Sequence, residues 1–431
     1  MNIIEHIIAS HSGRSKVLPG DNVWVDVDTL MTHDVFGPDV FRTFQKEFGE
    51  DAKIWDKNKF VLIPDHYIFT ADQYANKNID FLNQMASRYD LPHYYAPHTS
   101  RYSGVCHITL AQEGFNVPGG ILVGTDSHTC TSGAFGLFAT GVGITDGAFI
   151  LGTGKIWLKV PETIKVVFNG AMPKYLLAKD LILNLIGDIG LGGATYKSLE
   201  FCGEAVEKMS MEERMTLCNM AVEAGAKNGI IAADKTTMDY LDGKARSEIK
   251  IVKSDKDAQY CLIKEYDVSA ITPVVAKPSN PSNRAYVNEV CGTKIDKAYV
   301  GSCTGGKIED FIAAASLLYG NKVMVDTYIV PATVKVEKQM KDTNYKGKSL
   351  YDIFVDGGCK IGKPSCAACL GGPLDTFGRT KEREIVISST NRNFPGRMGD
   401  KSSLVYLASS YTVIASAING KITDPTKMVG K

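Results

Sequence analysis

The stretch Ala298-Tyr299-Val300-Gly301-Ser302-Cys303-Thr304-Gly305-Gly306 begins as a short apolar strand and passes through glycines and hydroxyls to a cysteine. A run with helical spacing follows over 308–318. The same plan recurs along the chain. Residues 61–63 lead into Pro64-Asp65-His66. Residues 121–123 lead into Thr125-Asp126-Ser127-His128-Thr129, with a helix expected over 134–140. Residues 385–387 lead into Ser388-Ser389-Thr390-Asn391-Arg392. Repeated strand, loop and helix units predict an α/β chain of α/β/α layers with mainly parallel sheets. In such sheets ligands gather at the carboxyl ends of the strands, where these reactive side chains fall.

A chain of 431 residues exceeds one ordinary core and suits several domains. We expect three: 1–160 with the aspartate–histidine pairs, 161–272, and 273–431 with the cysteines and an arginine loop. Two extended segments within 157–168, parted by Pro161-Glu162, close the first. Helical patches over 178–186 and 211–224 fill the second, and 273–282, with three prolines, reads as a linker.

Lys plus Arg and Asp plus Glu balance at 48 each, so nothing in the overall charge argues for nucleic acid or a lipid surface. An anionic substrate must therefore meet a local group of cations. Residues 1–8 read as a charged amphipathic helix rather than a secretory signal. The apolar stretch 133–154 is interrupted by Thr140, Thr145, Asp146 and Thr153, too often for a membrane span. These features point to a cytoplasmic chain.

Ten cysteines are scattered along the sequence, and most, such as Cys202, Cys218 and Cys261, read as small buried apolar side chains. Cys303 lies between strand and helix, where a helix N-terminus favours a thiolate. Cys366-x-x-Cys369 sits in a loop between Lys363-Pro364-Ser365 and Gly371-Gly372-Pro373. Three such thiolates suit a soft metal or an iron–sulfur cluster, with one metal position left open for Lewis-acid chemistry. Taken alone they also fit a chance C-x-x-C beside buried cysteines, with Cys359 a confuser.

Histidines next to carboxylates form the second group. Asp65-His66 are adjacent, His107 follows Cys106, Asp126-Ser127-His128 form a tight set, and Glu200 follows Tyr196-Lys197. A histidine paired with a carboxylate is an oriented, more basic proton carrier. Hydroxide leaves an alcohol poorly without such a donor. His6, His11, His33, His93 and His98 read as structural, although His33-Asp34 is a weaker pair of the same kind. Asn391-Arg392-Asn393-Phe394-Pro395-Gly396-Arg397 places two guanidiniums in one strand-end loop, a clamp for a polycarboxylate or else a solvated basic loop. Gly141-x-Gly143 and Gly152-x-Gly154-Lys155 lack the strand–helix context of a nucleotide fingerprint.

The stretches LIPDHY, GVCHITLAQEG, GTDSHTCTSGAFG, TYKSLEFCG, GSCTGGKIEDF, KPSCAACLGG and TNRNFPGRMG run in this order from Leu62 to Gly399. Jointly they make the chain resemble the aconitase superfamily. That resemblance implies a 4Fe-4S cluster on Cys303, Cys366 and Cys369. It further implies the pairs Asp65 with His66, Asp126 with His107 and Glu200 with His128 around a leaving hydroxyl, and substrate contacts from Ser127, Asn391, Arg392 and Arg397. The implied reaction is removal of water to a bound alkene and its return at the neighbouring carbon. The 131–136 stretch resembles the branch that isomerises 2-isopropylmalate to 3-isopropylmalate in leucine biosynthesis, with homoaconitate and methylmalate or dimethylmalate acids as alternatives. The family's mobile fourth domain finds no room here, which implies a separate small subunit in a heterodimer or heterotetramer. The family's Cys-Thr-Asn turn reads Cys303-Thr304-Gly305, which loses one amide beside the cluster. A cluster-sensing RNA-binding protein and a structural zinc protein are the competing classes. Overall neutrality argues against the first.

Overall fold

A computed structural model of the chain describes residues 1–429. The described chain folds into two compact units, one of residues 1–102, 106–169 and 194–266, the other of residues 103–105, 170–193 and the described residues from 267 onward. Each is built on parallel sheet flanked by helices, as the repeated strand–loop–helix pattern predicts.

The first unit opens with the helix Ile3–His11, capped by Asn2 and Glu5 in a reciprocal box. Isoleucines 3, 4, 7 and 8 lie on one face, fully buried against Phe41, Phe44 and Phe60. The central sheet has four parallel strands in the order Phe60–Leu62, Thr29–Thr32, Ile121–Gly124 and Phe138–Gly141. A second four-stranded sheet contains Thr163–Asn169, Ser198–Cys202 and Asn228–Ile230 in parallel. The two extended segments expected around Pro161 are real strands, Lys155–Lys159 and Thr163–Asn169. They belong to different sheets, because Lys155–Lys159 pairs antiparallel with Asn22–Asp26.

The second unit holds a seven-stranded sheet. Five strands, Leu404–Ala408, Ile385–Ser388, Lys297–Val300, Asp326–Ile329 and Lys360–Ile361, run parallel. Its core stacks Ile308–Leu318 and Ser410–Asn419 through Phe311, Ala314, Ala315, Val413 and Ile414.

Two local expectations need correction. The helix expected over 134–140 is instead a 3-10 segment, Ser127–Phe135, and a strand, Phe138–Gly141. Gly136, at φ 76°, ends the helical turn, and pairing with Ile121–Gly124 then claims the Phe138 to Gly141 backbone. The proline-rich stretch 273–282 is not wholly linker. Val274–Ala276 pairs antiparallel with both Arg284–Tyr286 and Leu404–Ala408. Pro273 and Pro278 fall outside that strand and cost it no ladder bonds. No helix among the described residues is long and apolar enough to cross a membrane.

Candidate active site

In the first unit, three neighbouring parallel strands end in acidic and histidine residues. Thr29–Thr32 is followed by His33-Asp34, Phe60–Leu62 by Asp65-His66, and Ile121–Gly124 by Asp126 and His128. Because the strands are parallel and adjacent, these side chains share one sheet edge. His107 comes from the buried helix Cys106–Gln112. The result is two groups of potential ligands or proton carriers: His33, Asp34, Asp65 and His66, and His107, Asp126 and His128.

Asp34 is the clamp of the first group. Its carboxylate accepts from the backbone N–H groups of Asp65, His66 and Tyr67 at 2.9, 3.0 and 2.6 Å. That fixes the loop carrying the pair. Asp65 Oδ1 lies 2.6 Å from His66 Nδ1, and Asp65 Oδ2 accepts from Cys106 N–H at 2.8 Å. Both side chains are almost fully buried. Burial opposes a charge on His66, but Asp65, Asp34 and Asp126 outweigh it and raise the imidazolium to about 10. His66 therefore carries its proton at neutral pH. The His33 ring lies tilted against it with ring centroids 4.6 Å apart, and burial followed by the His66 charge lowers the His33 pKa below its ordinary value.

Asp126 organises the second group. Its Oδ1 lies 2.9 Å from His107 Nε2, accepts from His128 N–H at 2.7 Å, and lies 3.4 Å from His128 Nδ1. His33 Nε2 stands 3.8 Å from Asp126 Oδ2 and links the two groups. Burial pushes the Asp126 carboxyl up, but the His107 and His128 bonds hold it well below the usual range. His107 Nδ1 is buried without a hydrogen-bond partner. Ser127, half-buried, sits between Asp126 and His128 at the start of the 3-10 turn.

One expected pairing is wrong. The carboxylate on His128 is Glu223, whose Oε1 lies 2.8 Å from Nε2. Glu200 instead accepts from Ser254 Oγ at 2.9 Å and Tyr260 Oη at 3.0 Å. The reason is topological. Glu200 lies within the strand Ser198–Cys202, whereas Glu223 is on the turn Met220–Ala224 that packs on the 3-10 segment carrying His128. Burial raises the Glu200 carboxyl above its ordinary value. His33 and Asp34, given a minor place on sequence grounds, are also part of the site. Their strand-end position was the available signal.

In the second unit one asparagine bridges two of the thiols. Asn391 Nδ2 donates to Cys303 Sγ at 3.2 Å, and Cys369 Sγ donates to Asn391 Oδ1 at 3.0 Å. Cys303, Cys366 and Cys369 are all buried. Their mutual proximity raises Cys366 well above an ordinary thiol, first through Cys303 and Cys369 and then through burial. Cys303 and Asn391 follow the neighbouring parallel strands Lys297–Val300 and Ile385–Ser388, and Cys366 with Cys369 follows Lys360–Ile361. Ser302, with φ 73°, holds a left-handed conformation directly before Cys303, a strain found at functional positions. Cys359, the confuser, is half-buried rather than one of the buried set.

Gly305 has a packing reason. A Cβ there would lie 1.9 Å from Ser389 Oγ. Ser389 Oγ in turn accepts from Gly301 N–H at 3.0 Å, stitching the two strand ends together. Arg392 and Arg397 share the loop after Ile385–Ser388 with Asn391, both half-buried, and Arg397 Nε is buried without a hydrogen-bond partner. Lys179, on the helix Ala178–Ile189, is buried beside this loop.

A histidine–carboxylate edge able to hold and move protons and a buried set of thiols able to hold a soft metal are the two chemistries on this chain. Residues 5–292 and 288–420 match the family described as Aconitase family (aconitate hydratase), and the chain belongs to that family. It is 52% identical to the 3-isopropylmalate dehydratase large subunit, chloroplastic, of Arabidopsis thaliana, over 100% of this chain and 87% of that one. Identity is 44% with 3-isopropylmalate dehydratase large subunit 1 of Pyrococcus furiosus and 43% with the large subunit from Thermodesulfovibrio yellowstonii. Each match covers at least 99% of both chains. The fold is also that of Thermococcus kodakaraensis aconitase X (holo-form), at TM-score 0.51 and 11% identity over 86% of this chain and 84% of that one.

Proposed function

We propose that this chain is the large subunit of a hydro-lyase that isomerises 2-isopropylmalate to 3-isopropylmalate, a step of leucine biosynthesis, together with a separate small subunit. The observation that carries the reading is the buried thiol set, Cys303 and Cys369 bridged by Asn391 with Cys366 beside both. The relatives named as such large subunits support the substrate.

The thiols fit a 4Fe-4S cluster. They are buried and close enough to perturb one another. When bound, such a cluster supplies a Lewis-acidic iron for the substrate hydroxyl and carboxylate. The chain's own residues do the rest. His66, held protonated by Asp65, is the proton donor for a leaving hydroxyl. Asp126 holds His107 in orientation, leaving Nδ1 to face a ligand. Glu223 holds His128 in the same way. Ser127, Asn391, Arg392 and Arg397 are assigned to the substrate, the arginines as carboxylate partners. The proposal keeps the division 1–160, 161–272 and 273–431. Glu200 loses its assigned role as the partner of His128.

The test mixes the anaerobically prepared chain with the small subunit and follows alkene absorbance on a panel of hydroxy acids. Turnover of 2-isopropylmalate above homocitrate, methylmalate and dimethylmalate supports the reading. Preference for another acid changes the substrate, and zinc without labile sulfide refutes the cluster.

A further inference from the structure

We propose that Lys179 is the counter-charge of the thiol centre, a buried positioning residue that sets how firmly Cys303, Cys366 and Cys369 hold a cluster and at what potential it is reduced. This rests on the reading of these thiols as cluster ligands.

Four cationic side chains of the described residues are essentially fully buried: Arg214, Lys179, Lys297 and Lys307. Three of them have a carboxylate. Arg214 pairs with Asp234 at 2.7 Å, Lys297 with Glu384 at 2.6 Å and Lys307 with Asp310 at 3.1 Å. Lys179 has none. Its Nζ donates to the carbonyls of Thr390 at 2.6 Å and Ser389 at 3.1 Å, and to Thr304 Oγ1 at 3.4 Å. All three acceptors are neutral. An ammonium taken out of water without an anion is strongly disfavoured, so folding should not retain one unless a negative group is supplied nearby.

The acceptors show which group that is. Thr304 is bonded to Cys303 in sequence, and Ser389 and Thr390 lead directly into Asn391, which bonds both Cys303 and Cys369. The anions that act on Lys179 most strongly are the sulfurs of Cys303 and Cys369. Three thiolates on an iron–sulfur core leave residual negative charge, and reduction adds more. A buried ammonium one residue beyond the ligands stabilises the loaded centre over the empty one, and the reduced centre over the oxidised one. It needs no contact with substrate to do so.

The experiment uses the full chain, anaerobically reconstituted with iron and sulfide, as wild type, Lys179→Met and Lys179→Arg. Lys179→Met should lose cluster absorbance to a chelator about tenfold faster, the usual scale for removing a partner around a metal's ligands. It should also show a more negative midpoint in a dithionite titration. Lys179→Arg, which keeps the charge, should stay near wild type in both. A merely structural lysine would lower the melting temperature of the metal-free chain and leave the midpoint where it was, and that result overturns the proposal. Should Lys179→Met fail to fold, Lys179→Gln takes its place with the same expectations, since its amide N–H still reaches a carbonyl. A wild type that takes up no iron and sulfide overturns the cluster reading and this proposal with it. A wild type that loads while the neutral variant matches it overturns the proposal alone.

Discussion

The histidine–carboxylate edge of the first unit and the thiol set of the second both bury polar groups at the ends of parallel strands, yet they are completed to different degrees. In the first, carboxylates and histidines pair with one another. Asp65 answers His66, Asp126 answers His107, and Glu223 answers His128, each within 2.9 Å. In the second, the Lys179 ammonium has only neutral oxygens bonded to it, and the sulfurs of Cys303 and Cys369 are the anions that act on it most strongly. A site whose charges pair internally can be built by folding alone. A site that pairs a lone cation with thiols is finished only when something soft and positive draws the thiolates out.

The largest effect should come from the unfinished side. Cys366→Ser is expected to abolish iron and labile-sulfide binding, and turnover with the small subunit along with it. Full activity in that variant would remove the thiols from the mechanism. Next is Asp65→Asn, which strips His66 of its main support. Iron content should hold while turnover falls about 10²- to 10⁴-fold, the range for losing a positioned proton carrier. A parallel fall in iron content would mean the two regions are not separable as described.

A smaller effect separates two glutamates. Glu223→Gln should lower turnover about 10- to 100-fold through a misoriented His128, while Glu200→Gln should leave it near wild type. The opposite order would restore Glu200 to the site.

The smallest effect is one of pH. His66 rises from 6.5 when unfolded to about 10 when folded. A group whose folded value is raised contributes stability that is fully present below pH 6.5 and lost as pH climbs through 10. Urea unfolding should therefore show an alkaline decline that Asp65→Asn largely removes. An equal decline in both proteins would assign it to other groups.

How much of this was legible depended on whether the partners were neighbours in sequence or in space. Asp65 and His66 are adjacent, so that pair is legible directly, whereas Asp126 and His107 are each marked by a strand end or a cysteine but are paired only by the family resemblance. His33-Asp34 obeys the same strand-end rule after Thr29–Thr32, but no second signal in the sequence marks it. Glu223 could not be read. It lies 95 residues from His128, in a turn whose approach to the 3-10 segment is set by packing. The family resemblance points to Glu200 as the partner of His128, and Glu200 is buried, but against Ser254 and Tyr260.

The sequence alone determined the α/β layering, the strand-end placement of the reactive residues, and the thiol and arginine loops. These depend on local periodicity and on which residues tolerate a turn, and both are written in short stretches. Tertiary structure decided the rest. It chose Glu223 over Glu200, and turned 138–141 from helix to strand. It placed Ser389 where Gly305 leaves room, and left Lys179 without a carboxylate. Each of those outcomes is a contest between partners far apart in sequence, settled by which ones packing brings within about 3 Å of each other.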